Sequence, residues 1–252
     1  MKKFEKYKIL FISLLLICTL LIAFTPQIQK ESETKRLTES EIEILRENYP
    51  IFTGSPPQIN SNRAYTPIEE MKEMCETFVY CEVVDDYYYG VVNLATGDVE
   101  FDVKLESHGL DKMNHCYFTV KVLSDVEKLI PDGFEFTYSF SEIYFDYIPY
   151  PKPGDRYVIP LYINGKDDLK FETAHKTMFY VTTDGYVLAT YNSDAESFTG
   201  IKVNELMEKL KKTPEQKEKY LEFRRSEYES TNGSRGFESI EMLKEKLANK
   251  DK

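Results

Sequence analysis

Residues 116–122 read Cys116-Tyr117-Phe118-Thr119-Val120-Lys121-Val122. Successive side chains of an extended chain point to opposite faces. Cys116, Phe118, Val120 and Val122 therefore share one side, and Tyr117, Thr119 and Lys121 the other. This predicts a strand with one face in a core and one in water. The same period of two recurs on both sides. Upstream, from Thr77, Val79, Cys81 and Val83 alternate with Phe78, Tyr80 and Glu82. Tyr87 to Leu94 read as a second strand, and Ala95-Thr96-Gly97-Asp98 as a turn. Val99, Phe101, Val103 and Leu105 then alternate with Glu100, Asp102, Lys104 and Glu106. These two segments predict a hairpin, with 107–114 as the loop that follows. Downstream, Phe134, Phe136, Tyr138 and Phe140 repeat the pattern, as do Tyr157, Ile159, Leu161 and Ile163 after the Pro153-Gly154-Asp155 turn. Residues 169–174 add a strand, and Met178–Thr183 with Tyr186–Tyr191 make a hairpin across Asp184-Gly185. Some seven to nine strands with short connections predict a closed or nearly closed antiparallel barrel, because closure removes edges that would pair with other chains.

Helical signals flank the strands. Thr38-Glu39-Ser40-Glu41 is a capping-box pattern that opens a helix over about 39–48, ended by Tyr49-Pro50. Residues 51–66 read as a linker. Thr66 as cap and Pro67 in the first turn start a second helix through about Met74. Helical spacing returns near Val203 with Leu206 and Leu210. Thr213-Pro214-Glu215-Gln216 starts a helix to about Tyr228. Thr231 to Gly236 break it, and Phe237 to Lys250 form a last amphipathic helix whose Met242, Leu243 and Leu247 are placed to dock on the barrel. The expected fold class is mainly β with C-terminal helices (α+β), behind an N-terminal transmembrane helix. The expected division is a basic tip and signal-anchor over 1–26, a stalk or linker with a short helix over 27–65, a β-barrel domain over 66–200 and a C-terminal helical segment over 201–252.

The anchor is read from Lys2, Lys3, Lys6 and Lys8, which precede an apolar run from Ile9 to Phe24 closed by Thr25-Pro26. The run is 16 residues long, or about 24 Å as a helix. A span usually takes about 20 residues, with a lower limit near 17. Tyr7 and Thr25 extend it, and the lysines reach back to the interface. A cleaved signal would use Ala23-Phe24-Thr25, but Pro26 would then follow the cut. Lipidation at Cys18 would want a small residue before it, and Ile17 is not small. A retained anchor is the preferred reading of the three. Basic residues stay cytoplasmic, so everything from about Gln27 is expected outside the plasma membrane. Residues 9–24 would then have the lipid bilayer as partner.

Composition narrows the chemistry. The formal net charge is −11, and residues 1–8 carry four lysines and one glutamate, so the rest carries −14. That balance argues against unspecific binding of nucleic acid. Beyond Cys18 the cysteines are Cys75, Cys81 and Cys116. Cys81 and Cys116 both fall on apolar faces, which suits either a disulfide, if their strands are adjacent, or two buried thiols. His115 is poorly placed to activate Cys116, since neighbours on a strand face opposite ways. His108, Asp111 and His115 fall short of the three or four held ligands that a metal needs, and His175 stands apart. No phosphate-cradling glycine loop and no Gly-x-Ser-x-Gly elbow occurs, so neither a cofactor nor a metal is expected. Tyrosines cluster at Tyr87-Tyr88-Tyr89 and at Tyr144, Tyr147, Tyr150 and Tyr157, the second group interleaved with Pro149, Pro151 and Pro153. A stiff aromatic loop can grip a peptide or a sugar. The competing reading is barrel core beneath a tyrosine-rich surface.

One arrangement is familiar. Thr66-Pro67-Ile68-Glu69-Glu70-Met71 precedes Phe78-Val79-Tyr80-Cys81-Glu82-Val83-Val84. Tyr117-Phe118-Thr119-Val120-Lys121-Val122 follows, then Pro153-Gly154-Asp155-Arg156-Tyr157-Val158-Ile159-Pro160-Leu161, and Asp184-Gly185-Tyr186-Val187 closes it. Over roughly 66–192 this resembles a broad group of exported and membrane-anchored Gram-positive proteins. Their barrel is similar to the oligonucleotide/oligosaccharide-binding (OB) fold and to the netrin-like inhibitor domain. The resemblance brings no catalytic residues, and nothing matches the metal-directed cysteine that opens netrin-like inhibitors. The expectation is a single-pass, extracytoplasmic, non-enzymatic binding module of the cell envelope, whose partner is an envelope protein or a cell-wall ligand. The alternatives are a surface hydrolase or transpeptidase using Cys116 and His115, and an assembly role for the C-terminal helices as a coiled coil.

Overall fold

The computed structural model describes residues 35–52, 67–93, 99–109, 111–141, 150–164, 170–173, 178–191, 193–233 and 236–249. Every element below belongs to the unit that begins at Arg36. The expected anchor at 9–24 lies outside the described residues, and among the described residues no helix is long and apolar enough to cross a membrane.

The chain is mixed α+β. Eight strands, β1 (Thr77–Val83), β2 (Tyr88–Asn93), β3 (Lys112–Asp125), β4 (Glu135–Ser141), β5 (Arg156–Asn164), β6 (Lys170–Thr173), β7 (Phe179–Val181) and β8 (Val187–Ala189), form one sheet. Its order is β1-β3-β4-β6-β5-β7-β8, with β2 on β3, and β1 also pairs β5. All pairings are antiparallel except β4 with β6, where the single pair Tyr138↔Phe171 is parallel. The sheet curls strongly but is not closed into the expected barrel. A barrel needs ladders that continue around the ring, and the seam at β6 is one residue pair wide. A register shift between Tyr80 and Cys81, where β1 meets β3, helps the curl.

The opening stretch falls as its alternation requires. Cys116, Phe118, Val120 and Val122 are buried in a core with Val79, Cys81 and Val83 of β1 and with Tyr157, Ile159, Leu161 and Ile163 of β5. A second core lies on the other face of β1 and β5. There Phe78, Val158 and Tyr162 meet Ile68 and Met71 of the helix Ile68–Met74 and Val203, Leu206 and Met207 of the helix Val203–Lys209. The helices are α1 (Glu39–Leu45), α2 (Ile68–Met74), α3 (Val99–Ser107), α4 (Val203–Lys209), α5 (Pro214–Ser230) and α6 (Ile240–Asn249). Strand β5 is therefore buried on both faces. Each large apolar side chain removed from water there contributes about 1.5–3 kcal/mol. At its far end β3 is stopped by Asp125, whose carboxylate accepts from the Thr77 hydroxyl and from the backbone N–H groups of Glu127, Leu129 and Ile130.

Residues 99–105 do not form the expected strand. They are helix α3, and β2 pairs instead with the start of β3, Tyr88 opposite Tyr117 and Asn93 opposite Lys112. The alternation there is ambiguous: Val99 and Val103, and likewise Glu100 and Lys104, also lie four apart on a helix. The helix gains an ion pair between Lys104 and Glu100 at 3.0 Å and leaves Val99 and Val103 exposed. The expected loop at 107–114 shrinks accordingly, because β3 begins at Lys112.

Residues 36–52, read as part of a stalk, dock on the body. Thr38 and Glu41 complete the capping box of α1. Ile42, Leu45 and Tyr49 pack against the first core, and the Phe52 N–H donates to the Thr190 carbonyl at 3.0 Å. At the other end α6 buries Leu243 and Leu247 in the first core, with Met242 beside them, which is the docking read from the sequence. Helix α5 keeps the expected Thr213–Gln216 capping box. It is held by Arg224, whose Nε stands 2.7 Å from Glu76 Oε1 with both side chains dry.

Candidate functional site: a tyrosine cleft

The turn before β5 builds the site. Gly154 adopts φ of +89°, a value that favours glycine. The Lys152 N–H donates to the Asp155 carboxylate at 2.9 Å. Two backbone bonds pin this turn to the end of β1, Gly154 N–H to Val83 O and Val83 N–H to Asp155 O, each 2.9 Å. Tyr157 follows on the inward face of β5. Its register partner on β7 is Tyr180, and the rings lie 5.8 Å apart. Tyr49, just past α1, meets Tyr180 edge-on at 5.4 Å, and the Tyr180 hydroxyl donates to the Pro50 carbonyl at 3.1 Å.

Between these elements opens a cleft of about 260 Å³, lined by Tyr49, Tyr150, Tyr157 and Tyr180 together with Asn48, Lys152 and Asp155. Burial pushes the Tyr157 and Tyr180 hydroxyls well above the ordinary tyrosine range, and the Asp155 carboxylate adds to it. Both phenols therefore stay protonated and keep donor character. Tyr150 stands at the rim, 36% exposed, with its ring 5.4 Å from Tyr87. Tyr87 in turn meets Tyr89 edge-on at 5.6 Å, so β2 extends the aromatic rim. Tyr88 points the other way and stacks on Tyr117 at 5.3 Å, 12° from parallel. Gly90 makes room for that pair, since a Cβ there would come within 2.8 Å of Tyr117 Cε2.

Of the tyrosines proposed from sequence, Tyr150 and Tyr157 share this cleft, while Tyr144 and Tyr147 lie outside the described residues. Tyr49, Asn48 and Tyr180 were not foreseen as site residues. The alternation that placed Tyr180 on a strand was legible, but its pairing with β5 was not. Cys81 and Cys116 do not form the disulfide considered for them. Both are free and buried: Cys81 lies opposite Val122, whereas Cys116 lies opposite Tyr89 and Phe140. Burial pushes the Cys116 thiol up to about 11. His115 projects to the opposite face, with Nδ1 3.1 Å from Ser139 Oγ. That separates the pair on which a nucleophilic reading would depend. His108 lies at the end of α3 with Nδ1 2.7 Å from the Lys104 carbonyl, and His175 is outside the described residues. Among the described residues no three His, Cys, Asp or Glu side chains are grouped to hold a metal ion.

No family model, curated protein or solved structure matches the chain.

Proposed function

We propose that this chain is a non-enzymatic binding module held outside the plasma membrane by residues 9–24, and that it takes an envelope ligand in the tyrosine cleft. The observation that carries the reading is the convergence of Tyr49, Tyr150, Tyr157 and Tyr180 from three separate segments on one open cleft, continuous with Tyr87 and Tyr89. Aromatic rings with a polar tip are what a protein presents where a ligand has one apolar side and one wet side. The lysine-flanked apolar run at 9–24 supports the location. The strand connectivity supports the OB-like reading: β1, β3, β4, β6 and β5 border one another in a ring with one weak seam, as in a five-stranded, partly open Greek-key barrel. Such barrels hold ligands of many classes, so the fold by itself names none. The burial of Cys116, and the opposite orientation of His115, speak against the hydrolase alternative.

Two measurements test the proposal. In intact bacterial cells expressing the full chain with a C-terminal tag, external protease should remove the tag, while the chain fractionates with membrane. A photo-crosslinker at position 150 should capture envelope material that one at Glu218, exposed on α5, does not. A chain recovered from cytosol, or equal capture at the two positions, would falsify it.

A further inference from the structure

We infer that the ligand of the tyrosine cleft is a neutral saccharide, bound through one sugar ring. The inference rests on the binding reading above and names its chemistry. At about 260 Å³ the cleft falls just below the roughly 300–1,000 Å³ of sites that enclose drug-sized ligands. It takes one ring of a longer chain.

The lining selects what kind of ring. Tyr49 and Tyr150 supply the open aromatic surface, above Tyr157 and Tyr180, which are 2% and 4% exposed at its base, and Asn48, Thr183, Lys152 and Asp155 supply donors and acceptors around them. Aliphatic side chains are nearly missing from the lining, which holds only Pro50 and Val181 of that kind. A pyranose has this division: C–H groups on its faces and hydroxyls at its edge. A peptide anchored by apolar side chains would want the reverse proportion.

A peptide is also denied the backbone route along β5 and β7, the two strands that carry Tyr157 and Tyr180. Adding a strand requires a free sheet edge. Strand β5 is flanked by β1, β6 and β7, and β7 lies between β5 and β8. Among the described residues neither β5 nor β7 offers the cleft a free edge. Charge makes the last distinction. Lys152 and Asp155 oppose each other in sign, and Arg156 is committed to Glu82 at 2.7 Å. The lining is close to neutral in a chain that is strongly acidic overall, which suits a ligand without net charge.

The chain has 19 tyrosines and no tryptophan, so tyrosine emission is unmasked by tryptophan, and the Tyr150 variants below assign any change to the cleft. Full-length protein in detergent micelles is titrated with chitotetraose, cellotetraose and maltotetraose, and with the tetrapeptide Ala-Glu-Lys-Ala. At least one sugar should give a saturable change that the peptide does not. Tyr150→Ala should weaken it about tenfold, the size expected when one aromatic contact is lost, and Tyr150→Phe should retain it. Circular dichroism of each variant checks that the rim substitution leaves the fold in place. Saturable binding of the peptide alone, lost in Tyr150→Ala, would overturn the saccharide inference and leave the binding reading standing. Silence from every sugar would overturn the inference as well; joined to equal crosslinking at 150 and Glu218, it would remove both.

Discussion

Replacing Arg224 by Met should destabilise the fold more than any surface substitution. Arg224 is 1% exposed. Its guanidinium faces Glu76 at 2.7 Å through Nε, and Nη2 donates to the Ile163 carbonyl at 2.5 Å and to Asn164 Oδ1 at 3.0 Å. Nη1 donates to Glu227 at 2.5 Å. Methionine fills much of the same volume, so the loss is electrostatic. Glu76 would keep the Ile163 N–H at 2.8 Å but lose its main counter-charge while its side chain stays fully buried. Breaking a buried pair from one side costs about 3–5 kcal/mol. For a domain of this size that lowers Tm by about 6–20 °C. The double variant Glu76→Gln with Arg224→Met removes the stranded Glu76 charge, leaving Glu227, whose side chain is 15% exposed, without Arg224, and should recover at least half of the loss. The pH dependence has a definite sign. Burial raises the Glu76 carboxyl above its ordinary 4.5, and Arg224 is the chief influence pulling it down. Without Arg224 it rises further. A carboxyl raised in the folded state opposes folding above that raised value, and the opposition fades as pH falls toward 4.5, where both states hold the proton. The Arg224→Met deficit should therefore be largest near pH 7.5 and shrink on acidification, as read by urea or thermal unfolding at the two pH values. A deficit under about 1 kcal/mol, or one that grows in acid, would refute the reasoning.

Three further outcomes are expected. Iodoacetamide at pH 8 should leave Cys75, Cys81 and Cys116 unmodified in the native chain and label all three in concentrated guanidinium, because burial raises Cys75 to about 12 and Cys116 to about 11; rapid native labelling of Cys116 would show the core assignment to be wrong. Gly236 and Gly185 share positive φ, +67° and +76°, yet a Cβ at Gly236 would sit 2.2 Å from the Arg224 carbonyl oxygen whereas at Gly185 it meets nothing. Gly185→Ala should cost about 1–2 kcal/mol and Gly236→Ala clearly more, with equal melting temperatures as the contrary result. Leu243→Ala, which empties a fully buried position in the first core, should cost about 2–5 kcal/mol, against about 1 kcal/mol for removing the α5 cap in Thr213→Ala; calorimetry that ranks them the other way would mean α6 is not docked.

Much of the architecture could be read before any coordinates. Where apolar residues alternated with polar ones and nothing competed, as at 116–122, the strand and its inward face were both right; at 77–83 and 157–163 the strands were right too, but Phe78, Val158 and Tyr162 on their other faces are covered by the second core. A period of two leaves no alternative face once one side must be dry. The caps at Thr38 and Thr213 were equally legible, since they depend on side chains three residues apart. The stretch 99–105 shows the limit of that logic. Its alternating apolar residues also fall four apart on a helix, and its charges do too. The choice was made by β3, whose first residues compete for β2 and take it.

The site divides the same way. Tyr150 and Tyr157 were marked by local clustering, and both line the cleft. Tyr49 and Tyr180 join them only because β7 pairs with β5 and the segment after α1 lies against that pair. Glu76 and Arg224 could not be matched in a chain with 43 acidic and 32 basic side chains, because any carboxylate was an equal candidate until the fold excluded water from one. What depends on neighbours along the chain (period, cap, turn, charge of a segment) was determined by the amino-acid order alone. What depends on which distant surfaces share a dry space was decided by tertiary packing, because burial and counter-charge are properties of the assembled interior and belong to no stretch of sequence.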